Sequence, residues 1–213
     1  VCDRGVSGRV AKGQNVLAGG AGGYVLANDL ANGNDLVGDS HFLPAVHITY
    51  SDGVVLKAWL DTGTVHTATI MGQTLDIANI NGDIMADFSS RGESTVPGLL
   101  KPNILAPGVD ILAAVESEAG FNFYGGTSMA SPHHAGAAAL LMALHPDWTP
   151  AEVQSALMTT ANRANIRKED GTTAADPHDR GSGRVDLSQA GIAGLVLDES
   201  ITNYEDADPA NGG

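Results

Sequence analysis

Hydrophobic and polar positions follow two different rhythms along the 213 residues of this chain. Up to about residue 83, short β-branched runs are separated by glycine-rich stretches. Val46-His47-Ile48-Thr49-Tyr50 and His66-Thr67-Ala68-Thr69-Ile70 alternate in the period of two expected of half-buried strands. Asp52-Gly53 is a turn signal, and Val54 to Leu60 suggests a short helix. The pattern predicts that this part is mostly β.

From residue 84 the texture changes. Pro97, Pro102 and Pro107 punctuate loops around the short apolar runs Asn103-Ile104-Leu105 and Val109-Asp110-Ile111-Leu112. Ser128 to Leu144 is apolar on nearly every side of a helix, which predicts full burial. Pro132 fits that helix only near its first turn. A second helix begins with Thr149 as N-cap, Pro150 at the first helical position and Glu152 closing a capping box. Val153, Ala156, Leu157 and Thr160 mark its inner face. Residues 163–183 are expected to be a polar loop, followed by a short strand or turn at Arg184-Val185-Asp186-Leu187. Residues 198–213 are acidic, end in Asn211-Gly212-Gly213, and are expected to be a linker or the start of another domain.

Composition narrows the possibilities. The chain is 43% hydrophobic and 17% charged, as a globular protein is, and its formal net charge is −14. Such a surface repels nucleic acid and anionic lipid, so neither is expected as a partner. Cys2 is the single cysteine, so no internal disulfide is possible. The longest apolar run, Ala135 to Leu144, is too short to span a bilayer. The chain begins Val1-Cys2-Asp3 without Met or a signal peptide, which leads us to expect an internal piece of a longer protein.

The candidate chemistry lies in Gly126-Thr127-Ser128-Met129-Ala130-Ser131-Pro132-His133-His134-Ala135-Gly136. A serine on a glycine-led turn runs directly into an apolar helix. Backbone N–H groups at a helix N-terminus can stabilise a developing oxyanion, so Ser128 reads as a nucleophile. An isolated Gly-x-Ser would say little, because serine and threonine are ordinary helix caps.

This stretch resembles the nucleophile motif of the subtilisin-like serine peptidases (subtilases, peptidase family S8). His134 stands where the family usually has a small apolar residue, and Gly125 replaces the usual Asn. Phe88-Ser89-Ser90-Arg91-Gly92, Lys101-Pro102-Asn103-Ile104-Leu105-Ala106-Pro107-Gly108, His145-Pro146-Asp147-Trp148-Thr149 and Gly181-Ser182-Gly183-Arg184-Val185-Asp186 match further family segments in order. Cys2-Asp3-Arg4-Gly5, the glycine-rich 18–22 and Asp39 to Pro44 resemble the protease-associated (PA) domain that many secreted subtilases carry as an insert. The resemblance implies an α/β fold, the C-terminal part of a doubly wound sheet preceded by a PA-like segment. It implies three divisions: a PA-like insert over 1–83, the C-terminal half of a catalytic domain over 84–197, and an acidic remainder over 198–213. It also implies a secreted serine endopeptidase acting on proteins or peptides, with Ser128 as nucleophile and Gly126, Thr127 and Ser128 as the site loop. Its chemistry would need no cofactor. Structural calcium is a family expectation without named ligands.

A serine needs a base, and the base an orienting acid. The family orders its triad Asp, His, Ser, and its His-Gly-(Thr/Ser) segment is absent here. The triad Asp and His and the oxyanion Asn are therefore expected upstream of residue 1. Asp61-Thr62-Gly63 and His66 imitate the missing pair but lie on the wrong side of the insert. One Asp-Thr-Gly also falls short of the two that an aspartic peptidase requires. His133, five residues beyond Ser128, would point about 140° away at roughly 100° per residue. The acids Asp198, Glu199, Glu205, Asp206 and Asp208 lack the spacing of a calcium loop. A sedolisin-type peptidase is disfavoured, because that family resembles Gly-Thr-Ser-Ala-Ser. The non-enzymatic alternative is that residues 1–213 alone form an inactive half-domain, at most a binding module through 1–83.

Overall fold

The computed structural model describes residues 1–72, 78, 81–93, 100–116 and 120–209. Tyr24-Val25-Leu26-Ala27 forms β2 (Tyr24–Ala27), and three of its four residues are buried. An apolar strand of that kind needs cover on both faces. It lies between β1 (Cys2–Asp3) and β3 (Ala45–Ile48) in a three-stranded parallel sheet, with Leu26 opposite both Cys2 and His47. Parallel strands cannot be joined by a tight turn. The helix α1 (Arg9–Ala18) makes the first crossover, and α2 (Tyr50–Leu60) follows β3. Beyond them, β4 (Gly92–Glu93) pairs antiparallel with β5 (Leu100–Lys101), and β6 (Ile111–Ala114) with β7 (Phe121–Tyr124).

The chain divides into two compact units, Val1–Ile77 with Val109–Gly125, and Ala78–Gly108 with Gly126–Gly213. The first is built on β2. Tyr24, Leu26 and Leu43 form its core with Cys2, Val16, Ala21 and Ala45 around them. Asn28, buried at the end of β2, takes up the polar groups of the loop that follows. Its amide donates to the carbonyls of Gly33 at 3.1 Å and Asp35 at 2.8 Å, and its Oδ1 accepts from His47 Nε2 at 2.8 Å. Arg9 holds Asp39 through two contacts, of 2.5 and 3.0 Å. Cys2 is a free thiol.

This unit departs from the mostly-β expectation: it is an α/β layer with two helices of ten and eleven residues. Asp52-Gly53 is not a turn but the first turn of α2, where Thr49 caps the Asp52 N–H at 3.1 Å. Gly53 is there because the helix lies against the strand; a Cβ on it would come within 2.7 Å of the Ala27 Cβ. His66 to Ile70 forms no strand.

In the second unit, α3 (Thr127–Leu144) packs against α4 (Pro150–Thr159) and α6 (Leu187–Ala190). Their core is Ala137, Leu141, Val153, Ala156, Leu157 and Ala190. The capping box of Thr149 and Glu152 is present in full. His145 ends α3. Its ring stacks on Trp148 at 3.8 Å, and Nε2–H donates to the Gly191 carbonyl at 2.8 Å. The full burial expected of α3 is not found. Only Ala137 and Leu141 are buried, while Leu140, Met142 and Leu144 are 63, 52 and 60% exposed. The helix meets its neighbours along a single stripe, so an all-round apolar sequence leaves most of its girth uncovered.

The polar stretch 163–183 contains structure of its own. Ile166 packs with Met85 and Ala175, and Met85 N–H donates to the Arg167 carbonyl at 2.8 Å. In α5 (Pro177–Arg180), Asp179 is 4% exposed. Arg91 at 3.3 Å and Lys168 at 3.1 Å neutralise it, and the Asp176 N–H donates to it at 2.8 Å. Arg91 also pairs with Glu169. A buried charge persists only with such partners. Within the acidic end, Ile201–Asp206 forms α7, capped by Ser200. Pro97 and Asn211-Gly212-Gly213 lie outside the described residues.

Candidate active site

Ser128 is the second residue of α3, and its side chain is exposed. The turn that presents it is fixed from below. Asn103 to Leu105 runs beside Ser182 to Val185. Ser182 N–H donates to the Asn103 carbonyl at 2.9 Å, Leu105 N–H to Gly183 at 2.8 Å, and Val185 N–H to Leu105 at 2.9 Å. From there the chain continues to Gly108, whose carbonyl accepts from Gly126 N–H at 2.8 Å. The two backbones touch, and a Cβ on Gly108 would sit 2.9 Å from the Gly126 carbonyl oxygen and 3.4 Å from the Ala130 Cβ. Two of the segments singled out in the sequence, Lys101 to Gly108 and Gly126 to Gly136, are therefore two sides of one contact.

Gly126 is the N-cap, with φ +150°, and it brings no side chain to cap the helix. Its carbonyl accepts from Met129 N–H at 3.0 Å and Ala130 N–H at 3.3 Å. The Thr127 and Ser128 N–H groups are left with no intrahelical acceptor, as the first amides of any helix are. They point with the positive end of the helix dipole, a setting that favours an anion. Thr127 and Ser128 thus present two adjacent backbone donors, while the Gly126 N–H is already taken by the Gly108 carbonyl.

The remaining candidates are placed elsewhere. His133 is exposed, and its Nδ1–H donates to the Met129 carbonyl at 2.8 Å, one turn back along α3. His134 is half-buried, and neither ring nitrogen has a hydrogen-bond partner among the described residues. Burial lowers its pKa below the ordinary histidine value, and the neighbouring His133 lowers it further. Asp61 follows α2 as its C-cap, and its N–H donates to Lys57. His66 lies edge-on to Trp59 with ring centroids 4.4 Å apart. Among the described residues, no histidine or carboxylate hydrogen-bonds to Ser128. Of the acidic residues near the end, Asp198 accepts from the Thr149 hydroxyl at 3.0 Å, and Glu199 from the Asn203 amide. Among the described residues, no group of three His, Cys, Asp or Glu side chains is placed to hold a metal ion. No described helix is long and apolar enough to cross a membrane.

Sequence reasoning missed how Gly108 closes the turn. The signal was the glycine that ends the Ala106-Pro107-Gly108 run.

Comparison with known proteins gives the following. The profile of the subtilase family matches residues 30–188, and that of the PA domain residues 1–56. Subtilisin-like protease SBT5.4 of Arabidopsis thaliana is 41% identical over 223 residues, covering 97% of this chain and 29% of its own length. Subtilisin-like protease SBT1.6 of the same plant is 42% identical, covering 96% of this chain and 29% of its own. The chain therefore spans under a third of the length of these relatives. Among solved structures, fervidolysin from Fervidobacterium pennivorans, a keratinolytic enzyme related to subtilisin, is 30% identical. That match covers 44% of this chain and 15% of the other at a TM-score of 0.35, too low to define a shared arrangement.

Proposed function

This chain belongs to the subtilase family, and we propose on that footing that the protein is a serine endopeptidase whose nucleophile is Ser128. Its Oγ attacks the scissile carbonyl carbon, while a general base takes the hydroxyl proton. The carbonyl oxygen becomes an oxyanion beside the Ser128 N–H, where the helix dipole and the free amides of the first turn favour negative charge. The tetrahedral intermediate collapses to an acyl-enzyme with loss of the amine, and water releases the acid. The base, its orienting acid and a side-chain donor to the oxyanion come from parts of the protein outside residues 1–213. Substrates are proteins or peptides, and the protein works outside the cell. The PA-like unit shapes substrate access.

The observation that carries this reading is the geometry of the turn. An exposed serine hydroxyl sits on the second residue of an 18-residue helix, and its N-cap contributes no competing side chain. The test is labelling of the full-length protein with a fluorophosphonate. Label should attach to Ser128, and Ser128→Ala should abolish it. Label that survives this substitution overturns the assignment.

A further inference from the structure

We propose that His134 is an acid-sensitive trigger in the helix that carries Ser128: protonating its ring breaks the packing of α3 and disables the nucleophile turn at the start of the same helix. The position is unusual chemically. Residues 134, 137, 138 and 141 fall on one face of α3 at helical spacing. Ala137 and Leu141 on that face are buried in the core with Ala138 packed beside them. An imidazole on this stripe therefore turns toward apolar side chains, and both its nitrogens are shut off from solvent. A neutral ring already leaves one donor and one acceptor unmet. A protonated ring would leave two donors and a net charge there, which is far more costly.

Among the described residues, no countercharge is at hand. On the elements packed against α3, Glu152 closes the capping box of α4, Arg184 pairs with Asp83 at 2.6 Å, and Asp186 accepts from Ser188 at 2.6 and 3.0 Å. The ionisable group that acts on His134 is His133, and a second imidazolium there would repel the first. The direction of pKa follows from burial first and His133 second, and it is downward.

The sign of the effect is fixed by linkage. A histidine whose folded pKa lies below its unfolded value leaves stability intact above about pH 6.5. As the pH falls below that value, the unfolded state binds more protons than the folded one. Stability is then lost until the folded pKa is passed. One such group lowers the folding equilibrium constant by at most about tenfold per pH unit across that window.

The experiment measures urea unfolding of the protein between about pH 7.5 and pH 5, in parallel with the variants His134→Val and His134→Asn. The wild type should lose stability steeply below about pH 6.5. Both variants should lose that part of the slope, Val because the site becomes apolar and Asn because it remains polar but does not titrate. NMR of the His134 ring should show it titrating below the ordinary histidine value. An unchanged slope in both variants, or a His134 ring that titrates at the ordinary value, overturns the proposal. The readout is folding, so it stands or falls apart from the assignment of Ser128. A fluorophosphonate arm then tests the link: labelling of Ser128 should fade with the wild-type stability and persist to lower pH in His134→Val. Labelling that fades at the same pH in both refutes the coupling.

Discussion

A methyl group at position 108 and one at position 136 have opposite consequences, though both glycines belong to the same family motifs. At 108 the methyl meets a backbone oxygen, that of Gly126, at 2.9 Å, and backbone cannot swing aside as a side chain does. The carbonyl it would displace is the one that starts α3. At 136, in mid-helix, a Cβ meets nothing within 4 Å, and helical glycine is a poor choice on entropic grounds. Gly136→Ala should therefore stabilise the 213-residue chain by about 0.5–1 kcal/mol. Gly108→Ala should destabilise it by about 1–3 kcal/mol, as overpacking does. It should also slow fluorophosphonate labelling of the full-length protein well beyond what that loss explains. Urea unfolding and the labelling rate check both. A Gly108→Ala protein that labels at the wild-type rate would show that the contact does not position Ser128.

At the scale of elements, α4 states its own beginning. Thr149, Pro150 and Glu152 specify the N-terminus by residue type alone, and the structure has the box in both directions, 3.2 Å from Glu152 N–H to Thr149 Oγ1 and 2.8 Å from Thr149 N–H to Glu152. Thr149→Ala removes this cap and should cost about 1 kcal/mol, whereas Thr149→Ser should cost little. Thermal unfolding distinguishes them, and equal losses would mean that the hydroxyl is not what holds the end. Elements of this kind are legible because their signals are local. The two helices of the first unit were not legible, since the reason for them is tertiary. Gly53 breaks helical propensity, but it lets α2 lie on Ala27, a partner 26 positions away in the chain that no local window contains. The burial of α3 failed for the converse reason. An apolar helix tells what it can bury, and the neighbours in this chain cover only the stripe through Ala137 and Leu141. The glycine-led start of α3 was legible because Gly126, Ser128 and the run of small apolar residues sit together, whereas its tie to Gly108 depends on a fold that brings 108 beside 126.

At the scale of the molecule, the catalysis proposed for Ser128 requires more than the described residues supply. A serine hydroxyl is weakly nucleophilic until a base removes its proton and an acid orients that base. Within the described residues none of the histidines that tempt assignment bonds Ser128: His133 donates to Met129, His134 lies in the stripe of α3 with neither ring nitrogen bonded, and His66 packs on Trp59. The free amides of Thr127 and Ser128 could still stabilise an oxyanion, and electrostatic help of that kind leaves some catalysis even where a triad is broken. Binding without a base leaves the chemical step slow. The 213-residue chain, assayed alone with a denatured protein substrate and with a fluorogenic peptide, should therefore hydrolyse neither measurably faster than its own Ser128→Ala variant. The full-length protein should lose its activity on the same substitution. Activity in the short chain that depends on Ser128 would mean that a base lies within it, and His133 and His134 would then be the first side chains to replace. Activity in the full-length protein that ignores Ser128 would instead move the nucleophile away from α3. The two assays thus separate where the serine acts from where its base resides.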